Sequence, residues 1–193
     1  MRNRLPQIAY PKSLKKVFLL LAICYLPLAM LGCGYTTRSM ICNKYRTIYI
    51  PPFVNKIDIT KETDVGSKYK IYRPLLETDI TKAVVDKFLF DGNLKPTDFQ
   101  NADLTLKGEL IEFRKDPLRY DNDDNVLEYR VDIITNLVLW DNKENKSVWE
   151  EKGFTGDATY IVSGTGATTE AKAISDAITD LARRIVERAV EEW

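Results

Sequence analysis

Five cations cluster in the middle of this sequence: Lys107, Arg114, Lys115, Arg119 and Arg130. Guanidinium and ammonium groups close together make charge-assisted hydrogen bonds to phosphate, so this segment is a candidate anion-binding surface. The same residues are interleaved with Glu109, Glu112 and Asp116, which equally describes a solvated face of mixed charge. Other constellations fail on inspection. Asp121-Asn122-Asp123-Asp124-Asn125 starts like a calcium loop, but its sixth and twelfth positions are Val126 and Asp132 where Gly and Glu are needed. Gly164-Thr165-Gly166 has Thr169 where a dinucleotide-binding turn needs its third glycine, and no βαβ unit follows. The chain has no histidine. It therefore lacks the commonest general base and a commonly used metal ligand, and no nucleophile elbow is present.

Cys33 is different in kind. Met1–Lys16 is basic, and Val17–Leu31 is an apolar run broken by Pro27. A transmembrane helix needs about 20 apolar residues, so the run is too short to span and reads as a secretory leader. Its end, Leu28-Ala29-Met30-Leu31-Gly32-Cys33, resembles the lipobox of bacterial lipoproteins, with Met30 where leucine is usual. That resemblance implies a diacylglyceryl thioether on Cys33, cleavage before it, and an N-acyl chain on the freed amine. Several acyl chains anchor stably where one binds only marginally. Gly34 in the next position points to the outer membrane. No other cofactor is expected.

Net charge supports the division. The whole chain sums to zero, with 28 basic and 28 acidic residues. Residues 1–32 hold five cations and no acid, which leaves 23 Lys+Arg against 28 Asp+Glu, about −5. Such a body has no general attraction to nucleic acid. Loss of Cys24 with the leader leaves Cys33 and Cys42, too few for a disulfide framework.

The elements that would carry these residues follow from periodicity. Gly34–Lys44 is a tether whose 11 residues reach at most about 36 Å. Tyr45–Phe53 alternates as a strand, which Pro51-Pro52 should end or confine to a sheet edge. Asn55–Tyr72 reads as a polar loop. Pro74–Phe90 has Leu76, Ile80, Ala83, Val84 and Phe88 on one helical face, with Pro74 suited to the first position and Asp91-Gly92 to the stop. Ala102–Lys115 alternates until Leu110-Ile111, where the phase flips and turns Ile111 and Phe113 inward, as a β-bulge would.

Leu127–Trp140 puts Leu127, Tyr129, Val131, Ile133, Leu137 and Leu139 on one face. Asp141–Asn145 is a turn, and Ser147–Tyr160 should return antiparallel. Thr168–Trp193 is an amphipathic helix with Thr168 as its cap and an apolar stripe from Ala173 to Val190. The order β-α-β-β-β-α predicts an α/β two-layer sandwich: a mixed or antiparallel sheet of about four strands with both helices on one face. On this reading Lys107, Arg114 and Arg130 lie on the open polar face, with Lys115 and Arg119 at its rim. The domain organisation is a leader at 1–32, a lipidated tether at 33–44 and one α/β domain at 45–193.

Several segments together resemble the lipopolysaccharide-assembly lipoprotein family, LptE. They are Cys33-Gly34-Tyr35, Thr47-Ile48-Tyr49-Ile50-Pro51-Pro52-Phe53 with Asn55, Asp86-Lys87-Phe88 with Asp91-Gly92, and Ala102-Asp103-Leu104 with Leu106, Gly108 and Glu109. Tyr120, Glu128-Tyr129-Arg130 and Trp149-Glu150 continue the pattern in family order. The resemblance implies a non-catalytic plug inside the lumen of a large outer-membrane β-barrel, LptD, which it helps to fold while binding lipopolysaccharide. Two other classes compete. A lipoprotein activator of a peptidoglycan synthase, of the LpoB type, usually carries a long Pro/Gln-rich linker that is missing here. A periplasmic enzyme lacks its histidine and its nucleophile motif.

Overall fold

The computed structural model describes residues 44–57 and 73–190. The leader, Cys33, Cys42 and most of the expected loop (58–72) lie outside the described residues. Strands are β1 Thr47–Tyr49, β2 Val54–Asn55, β3 Lys95–Pro96, β4 Leu104–Tyr120, β5 Val126–Asp141 and β6 Lys146–Ile161. The helices are α1 Leu76–Asp91 and α2 Glu170–Val190, and a short 3-10 turn spans Phe99–Asn101.

The sheet has six strands in the order β3-β1-β4-β5-β6, with β2 pairing beside β4. β1 runs parallel to β3 and β4, whereas β4, β5 and β6 form an antiparallel meander. This is the expected α/β sandwich with more strands than expected. β1 is also not an edge strand: it lies between β3 and β4, and the edge on that side is β3. Pro51-Pro52 does end β1, and Asn55, expected to open a loop, instead forms with Val54 a second short parallel pairing with Glu109 and Leu110.

Both helices cover one face and meet the sheet in a single core. α1 buries Leu76, Ile80, Val84 and Phe88, and α2 buries its whole stripe from Ala173 to Val190. Facing them are Leu104, Leu106, Leu110, Phe113, Val131, Ile133, Leu137 and Leu139. At roughly 25 cal/mol per Å² of apolar surface removed from water, burial of such side chains is the main force joining the layers.

Helix ends differ in detail from expectation. Leu75 takes a left-handed φ of 66° and α1 begins after it, so Pro74 lies ahead of the helix rather than in its first turn. Gly92, at φ 75°, stops α1 and donates its N–H to the Phe88 carbonyl at 3.0 Å. α2 is capped by Thr169, whose Oγ1 accepts the Lys172 N–H at 3.2 Å, while the Thr168 N–H is bonded to the Ile161 carbonyl. Two glycines set the layer spacing. A Cβ on Gly108 would lie 2.1 Å from Cε1 of Phe53, and one on Gly156 would lie 2.4 Å from Cβ of Leu181.

Candidate functional site

The sheet face opposite the helices has no covering element among the described residues. Register fixes which side chains it carries. In β4 the pairing shifts between Leu110 and Glu112, so Ile111 is the extra residue of a bulge. The phase flip at Leu110-Ile111 is real, and Phe113 faces the core at 3% exposure, but Ile111 is only half-buried and joins no core cluster.

Beyond the bulge, Arg114 pairs with Asp132, Asp116 with Arg130, and Arg119 with Glu128, all on the open face. These charges largely neutralise one another. Arg114 Nη2 lies 2.8 Å from Asp132 and its Nε 2.6 Å from Asp116. The Asp132 carboxylate, in a residue only 4% exposed, therefore has its counter-charge beside it. This pairing holds the Arg114 guanidinium firmly protonated, with the Asp132 hydrogen bond the largest cause. Arg119 is 3.6 Å from Glu128. Arg130 is exposed and makes no ion pair among the described residues.

Lys107 lies on the same face but before the bulge, with its Nζ 5.4 Å from the centroid of the Trp140 ring. Seven positions of β4 separate it from Arg114, and at about 3.3 Å per residue in a strand that is roughly 20 Å. Lys107 and the arginines therefore cannot converge on one phosphate. Around Lys107 the face is aromatic and aliphatic: Val138 pairs with Lys107 and Trp140 with Thr105, Tyr49 flanks Thr105 from β1, and Tyr49 packs edge-on against Phe99 at 5.6 Å.

Lys115 is not at the rim of the open face. It shares the parity of Phe113 and pairs with the buried Val131, so it points to the helix side. Its side chain is 16% exposed and its Nζ lies 2.5 Å from Glu170 at the start of α2. The ammonium also sits 4.4 Å from the Tyr129 centroid, and Tyr129 stacks on Tyr160 at 5.6 Å. Burial alone would lower this amine, but the Glu170 and Tyr160 hydrogen bonds outweigh it and raise it. Lys115 ties a helix to the sheet.

The remaining segments singled out in the sequence are structural joints. The Asp103 carboxylate accepts the N–H groups of Arg46 at 2.8 Å and Thr47 at 3.1 Å and pairs with Lys143 at 2.6 Å, which fixes the entry to β1. Phe53 N–H is held by Thr81 Oγ1 of α1 at 2.9 Å, and Asn55 Nδ2 by Glu77 at 3.2 Å. Tyr45 donates its hydroxyl to the fully buried Asp141 at 2.6 Å. Trp149 receives the Arg188 guanidinium at 5.0 Å from its centroid. Sequence reasoning had not found Tyr45, Asp141 or Glu170, because each acts through a partner far along the chain.

Among the described residues no cluster of three or more His, Cys, Asp or Glu side chains could hold a metal, and no helix is long and apolar enough to cross a membrane. The uncovered face is thus a broad, self-neutralised and partly aromatic surface rather than a pocket. Residues 45–189, nearly the whole of this body from ahead of β1 into the last turn of α2, match the family model for lipopolysaccharide assembly, LptE. The chain belongs to the LptE family. LptE is a non-enzymatic and cofactor-free family.

One solved structure shares the fold, and two others are similar at lower scores. A hypothetical protein, CT253 from Chlamydia trachomatis, is similar at a TM-score of 0.52 and 10% identity, over 75% of this chain and 95% of its own. The rare lipoprotein B of Shewanella oneidensis aligns at 0.43 and 14% identity, over 75% and 93%. A minor lipoprotein from Acinetobacter baumannii aligns at 0.44 and 11% identity, over 76% and 93%. No curated protein matches the sequence.

Proposed function

We propose that this LptE-family chain is an outer-membrane lipoprotein that plugs an LptD-type β-barrel, helps it assemble, and assists lipopolysaccharide on its way to the outer leaflet. The observation that carries the reading is the family match over 45–189, which begins only 12 residues after the lipobox cysteine. On this reading residues 1–32 are cleaved, Cys33 carries diacylglycerol and an N-acyl chain, and 33–44 tether one domain, 45–193, to the periplasmic face of the membrane.

The surface suits the role. A lumen of a large barrel is polar, and the face formed by Arg114, Asp116, Arg119, Glu128, Arg130 and Asp132 is polar while its charges are balanced internally. Contact with lipid phosphate is assigned to Arg130, with Arg114 and Arg119 able to exchange their carboxylate partners for it. Lys107 beside Trp140 marks a separate, amphipathic contact. Lys115 is withdrawn from the lipid-binding set because Glu170 already holds it.

Isolation of the chain from membranes in mild detergent tests the reading. One large heat-modifiable β-barrel should accompany it in equal amount. A penicillin-binding protein as the stoichiometric companion, or no companion at all, would refute it.

A further inference from the structure

β6 is the terminal strand of the sheet, 16 residues long, and among the described residues no strand pairs on its outer side over most of its length. A long edge strand offers a row of unused N–H and C=O groups to any second strand, including that of another copy. The outward groups in the middle of β6 are not unused. The Asp157 N–H donates to Asp180 Oδ2 at 3.3 Å, and Arg184 Nη1 donates to the Thr155 carbonyl at 3.3 Å. Both partners are side chains of α2, one helical turn apart, and they are joined by a 2.7 Å ion pair between Arg184 Nε and Asp180 Oδ2. Arg184 Nη2 also reaches the Asp157 carboxylate at 2.9 Å.

A residue in a parallel neighbouring strand would donate to one carbonyl and accept from the N–H two positions further on. Asp180 and Arg184 supply that same acceptor and donor to the Asp157 N–H and the Thr155 carbonyl. The residue between, Gly156, lets α2 come this near. A Cβ there would lie 2.4 Å from Cβ and 2.6 Å from the backbone of Leu181, the residue following Asp180. Further along, an isolated parallel bridge between Ile161 and Ala167 closes the end of the strand in the same sense.

We propose that Asp180 and Arg184 form an autoinhibitory contact, a side-chain substitute for a seventh strand, that keeps β6 from adding a second copy of this chain. The contact is intramolecular and needs no ligand, so it stands apart from the barrel-plug reading. Removing it should convert the edge into a self-pairing surface, with β6 meeting β6 of another molecule.

The test uses the full chain in mild detergent. Hydrogen exchange on the unaltered protein should show the Asp157 amide at least tenfold slower than that of Thr159, an outward-facing neighbour that has no such partner among the described residues. Asp180→Ala with Arg184→Ala, alanine being a strong helix former, should shift the particle from one copy to two by light scattering. Adding Thr159→Pro, which strips an outward N–H that a pairing strand needs, should return it to one copy. Equal exchange at Asp157 and Thr159 overturns the proposal, and so does a folded double-alanine chain that stays single. Pairs that persist with Thr159→Pro would place the contact elsewhere and overturn it too. Should the double-alanine chain fail to fold, the exchange comparison on the unaltered protein decides alone.

Discussion

The ring of Phe53 lies directly over the α-carbon of Gly108, so close that a methyl group on Gly108 would stand 2.1 Å from its Cε1. These residues come from two of the segments that carry the resemblance to the family, and the contact ties the two together. The Pro51-Pro52 turn delivers Phe53 onto the core face of β4, and only a residue without a side chain leaves room for the ring. Gly108→Ala should cost about 1–3 kcal/mol by overpacking, and Phe53→Leu in the same chain should recover part of it. Urea denaturation measures both. A Gly108→Ala chain as stable as the original would mean that the ring does not sit there.

Asp103 gives a pH signature. Burial tends to raise its carboxyl, but Lys143 and the N–H groups of Arg46 and Thr47 outweigh that and hold it at about 2. A carboxyl depressed on folding stabilises the protein fully above its unfolded value near 4 and loses that effect as pH falls through the folded value. Asp103→Asn should therefore be less stable by roughly 1–2 kcal/mol at neutral pH, with the gap closing towards pH 2. A gap that is constant from pH 7 to pH 2 would contradict the account.

Tyr45 and Asp141 form the second joint at the base of the sheet. Burial first, and then the Asp141 carboxylate, raise the Tyr45 phenol, which keeps it a donor throughout the physiological range. Tyr45→Phe leaves the fully buried carboxylate with one partner fewer, and a hydrogen bond to a charged group contributes about 1.5–3 kcal/mol. A melting temperature unchanged in Tyr45→Phe would show that water or Lys44 replaces the hydroxyl.

Much of this architecture was legible from periodicity. The stripe of α2 is buried residue for residue, because more than five turns of 3.6-residue repeat leave no alternative face. The inward set of β5 and the bulge after Leu110 follow equally from alternation. β2 and β3 were illegible for a physical reason: each is two residues long, and two residues have no period. β4 runs on to Tyr120 through Pro117, past the reach of β2. There β5 is its one neighbour among the described residues, so a residue without an N–H costs no ladder bond on the other side. Lys115 was misplaced although the signal was present. Once the bulge is set, Lys115 has the same parity as Phe113 and must face α2, where its partner Glu170 is 55 positions away in sequence.

That correction separates two functions experimentally. Lys115→Met should lower stability by about 1 kcal/mol, the scale of a partly buried ion pair, and leave lipopolysaccharide binding unchanged. Arg130→Glu should leave stability within about 0.5 kcal/mol, as for most surface changes, and weaken binding several-fold. Binding lost in Lys115→Met at unchanged melting temperature would return Lys115 to the lipid site.

The most direct measurement of the central claim is depletion of this chain from the bacterium that makes it. Cells are followed for two quantities, the amount of folded LptD-type barrel and the lipopolysaccharide accessible at the surface. Both should fall together, and restoring the chain with Cys33 intact should restore both. Normal barrel folding and normal surface lipopolysaccharide in depleted cells would contradict the account.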